Sequence, residues 1–168
     1  NKDLGQHFLI DDQLLNVMVE LADVSSKDHV LEIGPGPGTL TQVLLETGAM
    51  ITAIELDDGP VLHLDNVFSE QQNSGVLTLL HGDALVEEWP QSITKIVANI
   101  PYQISSPLIE KITKFNALNQ TSLNSVVLMV QQEFAQRLTM QRPSDDKTTP
   151  VGSPLLLVAR SSYKKIEP

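Results

Sequence analysis

Apolar positions along the chain follow two alternating rhythms. Short, nearly continuous apolar runs at Val30–Ile33, Met50–Ile54, Val76–Leu80, Lys95–Ala98 and Val126–Val130 predict five strands. Between them, apolar residues recur at helical spacing. Leu14, Leu15, Met18, Val19 and Ala22 form one stripe, with Asp11 or Asp12 able to cap it. Leu40, Val43 and Leu44 form the next, on a helix from Thr39 to a stop at Gly48. Val61, Leu64, Val67 and Phe68 form a third, on a helix from Pro60 to Gln72 that ends at Asn73-Ser74-Gly75. A further helix starts at Ser106 as N-cap, with Pro107 in its first turn. The pattern then predicts a helix over Gln132–Met140, a polar loop over Pro143–Gly152, another helix start at Ser153-Pro154 and a short strand at Tyr163–Ile166. Strands that are apolar throughout and alternate with helices imply an α/β domain: a mostly parallel central sheet with helices on both faces.

Ligands of such sheets bind beyond the carboxyl ends of the strands. The polar residues there are therefore the ones to read. The first strand runs into Gly34-Pro35-Gly36-Pro37-Gly38-Thr39. A phosphate-cradling P-loop needs a terminal Gly-Lys-Ser/Thr, and no lysine stands here. A dinucleotide fingerprint needs a small residue where Thr39 stands, and Pro35 and Pro37 remove two N–H donors. A nucleoside-binding loop that holds no phosphate, as in S-adenosylmethionine (SAM) enzymes, remains, beside an ordinary strand-to-helix turn.

The later strand ends favour the nucleoside reading. Glu55 closes the second strand, where a carboxylate can accept hydrogen bonds from ribose hydroxyls. Asp83, after His81-Gly82, can accept from an adenine amino group while the Ala84 N–H serves a ring nitrogen; a helix cap is the competing role. After the fourth strand comes Asn99-Ile100-Pro101-Tyr102. The Asn99 oxygen and a nearby carbonyl can accept both hydrogens of an exocyclic amine and draw its nitrogen towards tetrahedral geometry. Pro101 stiffens this turn, and Tyr102 offers a face on which a base can stack. Methyl transfer from a sulfonium then requires alignment rather than a general base.

Composition narrows the options. The 168 residues, 41% hydrophobic, suffice for one domain spanning 1–168, with an N-terminal arm at about 1–12. There is no cysteine, and His29, His63 and His81 are scattered, so no metal site is expected. No apolar run approaches a membrane span and no signal peptide is visible, so a cytoplasmic location is expected. The net charge of −10 counts against a general nucleic-acid-binding surface.

Taken together, these residues resemble a known family. Leu4-Gly5-Gln6-His7-Phe8-Leu9, the segment Leu31 to Thr41, Ala53-Ile54-Glu55-Leu56-Asp57, Gly82-Asp83-Ala84, Asn99-Ile100-Pro101-Tyr102 with Ile104 to Pro107, and Val130 to Leu138 stand in the order seen in the KsgA-type rRNA adenine dimethyltransferases, relatives of the Erm-type rRNA methyltransferases. The resemblance implies a Rossmann-like class I SAM-dependent methyltransferase fold. It implies that His7 and Leu9 close over SAM, that Gly34 lines its methionine end, that Glu55 holds the ribose and that Asp83 meets the adenine. Gly36, Leu56, Ala84 and Asn99 join this cofactor set, and Asn99, Pro101 and Tyr102 hold the target adenine. The implied reaction dimethylates N6 of two neighbouring adenines near the 3′ end of small-subunit rRNA. The implied partner is an immature small ribosomal subunit, with no membrane and a monomeric enzyme.

The sequence departs from the family pattern in places. Val151 stands where the family shows an aromatic residue, and the match is poor after Arg142. The family continues past the position of Pro168 into a last strand and a small helical domain, often a basic RNA-binding surface. A chain without that segment is expected to bind RNA weakly, which eases the charge objection. An Erm-type large-subunit methyltransferase and a non-catalytic RNA-binding or assembly factor on the same fold are the alternatives.

Overall fold

The apolar runs lie side by side in one sheet. The structure, a computed structural model, describes residues 12–118, 123–131, 134 and 155–160, with only the backbone at 12, 102 and 155–160. The sheet holds β1 (His29–Ile33), β2 (Met50–Glu55), β3 (Leu77–His81), β4 (Lys95–Asn99), β5 (Ser125–Gln131) and β6 (Leu155–Arg160). All pairings are parallel, in the order β3-β2-β1-β4-β5-β6. The five expected strands are present, each within a residue or two of its expected bounds. Connections run one way from β1 to β3 and the other way from β4 onward, so the topological switch point lies between β1 and β4.

The strands bury both faces. On one face Val30, Ile51, Ala53, Val97 and Val127 pack under Met18 of α1 (Asp12–Leu21), Leu40 and Leu44 of α2 (Thr39–Glu46) and Leu64 of α3 (Asp58–Val67). On the other, Leu31, Ile33, Ile96, Ala98 and Leu128 pack under Trp89, Ile93 and Leu108 and Ile112 of α5 (Ser105–Leu118). This two-sided burial explains why the strands read as continuous apolar runs rather than alternating ones.

Three expectations are corrected. The helix over Pro60–Gln72 begins earlier, at Asp58, and breaks at Phe68 into α3 and α4 (Ser69–Asn73). Phe68 leaves helical geometry (φ −110°, ψ 27°) and its ring is buried against the α2 entry, where a Cβ on Gly38 would stand 2.7 Å from it. The helix placed at Ser106 starts at Ser105, because Ser105 Oγ donates to Pro101 O (3.1 Å) and the preceding residues Tyr102–Ile104 already form a 3₁₀ turn. Ser106 is therefore inside the helix and not its cap. The helix expected from Ser153-Pro154 is replaced by β6, whose backbone pairs with β5 from Val126↔Leu155 to Gln131↔Arg160. The run Leu155-Leu156-Leu157-Val158-Ala159 suits a strand, and its ladder satisfies backbone groups along an edge of β5 that would otherwise be open. The Asp11 cap, most of the Gln132–Met140 helix, the Pro143–Gly152 loop and the Tyr163–Ile166 strand lie outside the described residues.

At the amino ends of the strands, buried Lys95 donates to the carbonyls of Ala22 (2.7 Å) and Asp23 (2.6 Å), just past α1, with Asp28 at 3.8 Å. His29 bridges Ser92 and Thr52, both at 2.8 Å, and burial holds its pKa below the ordinary histidine value. These polar groups fasten the edge of the sheet opposite the strand carboxyl ends. Among the described residues no helix is long and apolar enough to cross a membrane.

Candidate functional site

Register decides which strand ends come together. Glu32 of β1 pairs with Ala53 of β2 on one side and Val97 of β4 on the other. Two residues further along, Gly34, Glu55 and Asn99 share one level across three adjacent strands. Side-chain direction follows from alternation. Leu31, Ile33, Ile54, Ile96 and Ala98 face α5, so Glu32, Glu55 and Asn99 all point to the α1–α4 side. Asp83 follows β3 by two residues, and His81 of β3 pairs directly with Glu55. The structure therefore brings Gly34, Glu55 and Asn99 together at the switch point, with Asp83 beside β2. His7 and Leu9 lie outside the described residues, as does the Tyr102 side chain.

The loop after β1 is held from β2. Gly34 N–H donates to Ile54 O (2.9 Å) and Gly36 N–H donates to Glu55 Oε2 (3.0 Å). Gly34 adopts φ +67°, and among the described residues a Cβ there would meet nothing within 4 Å. Gly38 adopts φ +86° and lies so close to Leu64 and Phe68 that a side chain there would displace them. One glycine thus has no described neighbour beside its Cα while the other allows α2 to seat on α3.

Glu55 is buried and has more partners than the sequence suggested. Its Oε1 accepts from Leu56 N–H (2.9 Å) and Asp57 N–H (3.0 Å), besides the Gly36 contact at Oε2. Four lone-pair sites on a carboxylate leave capacity for a further donor. Leu56 beyond it is 62% exposed, and the His81 ring lies against Leu56 O and Asp58 Oδ1, both 3.2 Å from Nε2.

Beneath the loop lies a group not singled out from sequence. Glu32 is 1% exposed; Oε2 accepts from Thr41 Oγ1 (2.7 Å), and among the described residues Oε1 has no hydrogen-bond partner. Burial raises its pKa to about 8, opposed by the Thr41 hydrogen bond and reinforced by Glu55. Its signal in the sequence is one acid inside the apolar run Val30–Ile33.

Asp83 organises the next loop. Its Oδ1 accepts from Leu85 N–H (2.8 Å), and its carbonyl accepts from Val86 and Glu87 N–H (both 2.8 Å). No helix follows, so the cap expected of Asp83 is that of a turn rather than a helix, and Oδ2 takes no part in it. Two donors converge on the Ala84 carbonyl: Trp89 Nε1 (3.0 Å) and Lys111 Nζ of α5 (2.9 Å). Lys111 also donates to Glu87 O and lies 4.8 Å from the centre of the Trp89 ring. Burial pulls the Lys111 pKa below the ordinary lysine value, against the opposing influence of Asp83, Glu87 and Glu88.

Asn99 ends β4 half-buried, and among the described residues nothing hydrogen-bonds its side-chain amide. Pro101 is exposed, and its carbonyl accepts from Ser105 Oγ and from Ile104 N–H (3.3 Å). The amide of Asn99 thus ends β4 at the switch point with no hydrogen-bond partner among the described residues.

Known proteins resemble this chain closely. The model of a family described as ribosomal RNA adenine dimethylase matches residues 1–151. A probable ribosomal RNA small subunit methyltransferase A from Methanopyrus kandleri is 41% identical over 138 residues, covering 82% of this chain and 46% of its own. A ribosomal RNA small subunit methyltransferase from Arabidopsis thaliana is 42% identical over 163 residues, covering 97% and 44%. Among solved structures, a dimethyladenosine transferase from Plasmodium falciparum superposes with a TM-score of 0.63 at 34% identity, over 76% of this chain and 44% of that one. The 23S rRNA methyltransferase ErmE gives 0.65 at 27% identity, over 77% and 50%. The fold is that of class I SAM methyltransferases, and the chain spans about half the length of the curated relatives it matches.

Proposed function

Since this chain belongs to the ribosomal RNA adenine dimethylase family, we propose that it is the catalytic domain of a SAM-dependent enzyme that dimethylates adenine N6 in small-subunit rRNA. The observation that carries this reading is the shared level of Gly34, Glu55 and Asn99 on adjacent strands at the switch point. The relatives' names favour the small subunit: those at 41% and 42% identity act there, whereas the large-subunit enzyme ErmE is 27% identical.

The residues present fit SAM. Among the described residues nothing stands where a Cβ on Gly34 would point, which leaves room for the methionine end, and Glu32 Oε1, buried and without a described partner, leaves polar capacity beneath it. Glu55 has lone pairs left for ribose hydroxyls, Leu56 supplies exposed apolar surface for a ring, and Asp83 with the Ala84 N–H would take the adenine edge. When bound, SAM supplies a methyl group on a sulfonium, already a good electrophile. The chain's own part is to bind, orient and polarise. The Asn99 side-chain oxygen accepts one hydrogen of the target N6 amine and a nearby carbonyl of the Asn99–Pro101 turn accepts the other. The nitrogen lone pair is thereby released from the ring and directed for in-line attack. The amine proton leaves to water, so no His or Lys base is required. The Tyr102 ring would stack the target base, which must be turned out of its helix to reach the site.

Immature small ribosomal subunits incubated with this chain and labelled SAM test the reading. The expected product is N6,N6-dimethyladenosine in small-subunit rRNA, absent with an Asn99→Ala control. Label confined to large-subunit rRNA would place the activity with the Erm type. SAM binding without transfer, persisting at subunit concentrations high enough to saturate the weak RNA binding expected of this chain, would favour an assembly factor on the same fold.

A further inference from the structure

We infer that Lys111 is a positioning residue for the cofactor's adenine subsite, holding the Asp83–Ala84 turn at the height that the adenine edge requires. This rests on the adenine assignment of Asp83 and Ala84 above. Lys111 lies on α5, on the opposite face of the sheet from the glycine loop, and touches none of the expected ligand-binding side chains directly. Its ammonium is aimed instead at backbone. It donates to Ala84 O at 2.9 Å and to Glu87 O, and the same ammonium nitrogen lies 4.8 Å from the centre of the Trp89 ring. Trp89, itself buried, donates to the same Ala84 carbonyl at 3.0 Å and packs on Phe115 of α5 with ring centres 5.4 Å apart.

The effect of this arrangement is local. The Ala84 carbonyl belongs to the same residue whose N–H is expected to meet an adenine ring nitrogen. Fixing that carbonyl from below fixes the adjacent peptide planes, and with them the Asp83 side chain. The turn's own hydrogen bonds, Asp83 Oδ1 with Leu85 N–H and Asp83 O with Val86 and Glu87 N–H, set its shape, and Gly82 N–H donating to Glu55 O (2.8 Å) ties its near side to β2. Gly82 packs closely under the Glu87 side chain, where a Cβ would stand 2.3 Å from Oε1. The tie from α5 fixes the far side of the turn, at the Ala84 and Glu87 carbonyls. α5 also starts directly after the Asn99–Tyr102 turn, where Ser105 Oγ donates to Pro101 O. One helix therefore anchors the turn expected to hold the cofactor's adenine and the turn expected to hold the target base.

The test compares binding of S-adenosylhomocysteine with that of S-inosylhomocysteine, whose ring carries a carbonyl in place of the amino group. Calorimetry on this chain should show preference for the adenine form. Lys111→Met keeps an unbranched side chain of similar length and removes the charged donor; it should shrink that preference by about tenfold, the size of one lost charge-assisted hydrogen bond expressed at the ligand. Lys111→Arg, which keeps a charged donor, should recover part of it. A folded Lys111→Met variant with undiminished preference would overturn the inference. So would failure of both variants to fold, which would mark Lys111 as a general stabiliser. Asp83→Asn separates the two claims: if it too leaves the preference intact, the adenine assignment itself has failed, whereas collapse in Asp83→Asn alone removes only the role of Lys111.

Discussion

An Asn99→Ala chain should bind SAM with little change and transfer methyl groups about 10²–10³-fold more slowly, the cost typical of removing one preorganised group that acts on the developing charge. The expectation follows from where Asn99 sits. It is the last residue of β4, its backbone pairs with Met129, and no described residue uses its side-chain amide. Removing the amide therefore breaks no hydrogen bond among the described residues, and folding should be preserved. The loss should fall on the chemical step, because the oxygen is needed only when an amine nitrogen must surrender its delocalised lone pair. Single-turnover transfer measured beside SAM calorimetry separates the two effects. A variant that transfers as fast as the parent would remove Asn99 from the mechanism.

Glu32→Gln should flatten the dependence of stability on pH. Folding raises this carboxyl from an ordinary 4.5 to about 8, through burial above all and the nearby Glu55 in addition. Below pH about 4.5 both folded and unfolded chains hold the proton, and the group costs nothing. Between the two values the unfolded chain releases the proton and the folded chain keeps it, so stability falls as pH rises; above about 8 the loss is complete. The integrated loss is on the order of 3–5 kcal/mol between pH 5 and 9. Glutamine keeps the shape and an acceptor for the Thr41 hydroxyl but has no proton to lose. Urea unfolding of both chains at pH 5 and pH 9 isolates the contribution, because all other titrations cancel in the difference. Parallel pH profiles for the two chains would show that Glu32 ionises normally in the folded state.

The parts of this fold legible in sequence are those set by burial on both faces of a sheet. Val30–Ile33 and Val126–Val130 read as strands because neither face meets water. Glu55 and Asn99 could be picked out because a polar residue directly after such a run stands at a strand's carboxyl end. What stayed hidden depends on contacts distant in sequence. Phe68 fits the stripe of a continuous helix, and only its packing against the α2 entry shows why the helix breaks there. Leu155–Ala159 suits helix or strand equally, and pairing with β5 decides it. Lys111 looks like an ordinary surface lysine; that its ammonium reaches the Ala84 carbonyl depends on how α5 crosses the loop after β3. Glu32 was visible as an acid inside an apolar run, but its pairing with Thr41 and its proximity to Glu55 come from the tertiary fold.

The central claim is that the carboxyl ends of β1, β2 and β4, with the turn after β3, form a single nucleoside site. Amide chemical-shift mapping of this chain during titration with S-adenosylhomocysteine tests it most directly. The account predicts saturable shifts concentrated at Gly34, Gly36, Leu56, Ala84 and Ile100, with His29, Thr94 and Lys95 at the opposite edge unmoved. Shifts centred on that opposite edge, or none at the strand carboxyl ends at saturating ligand, would contradict it.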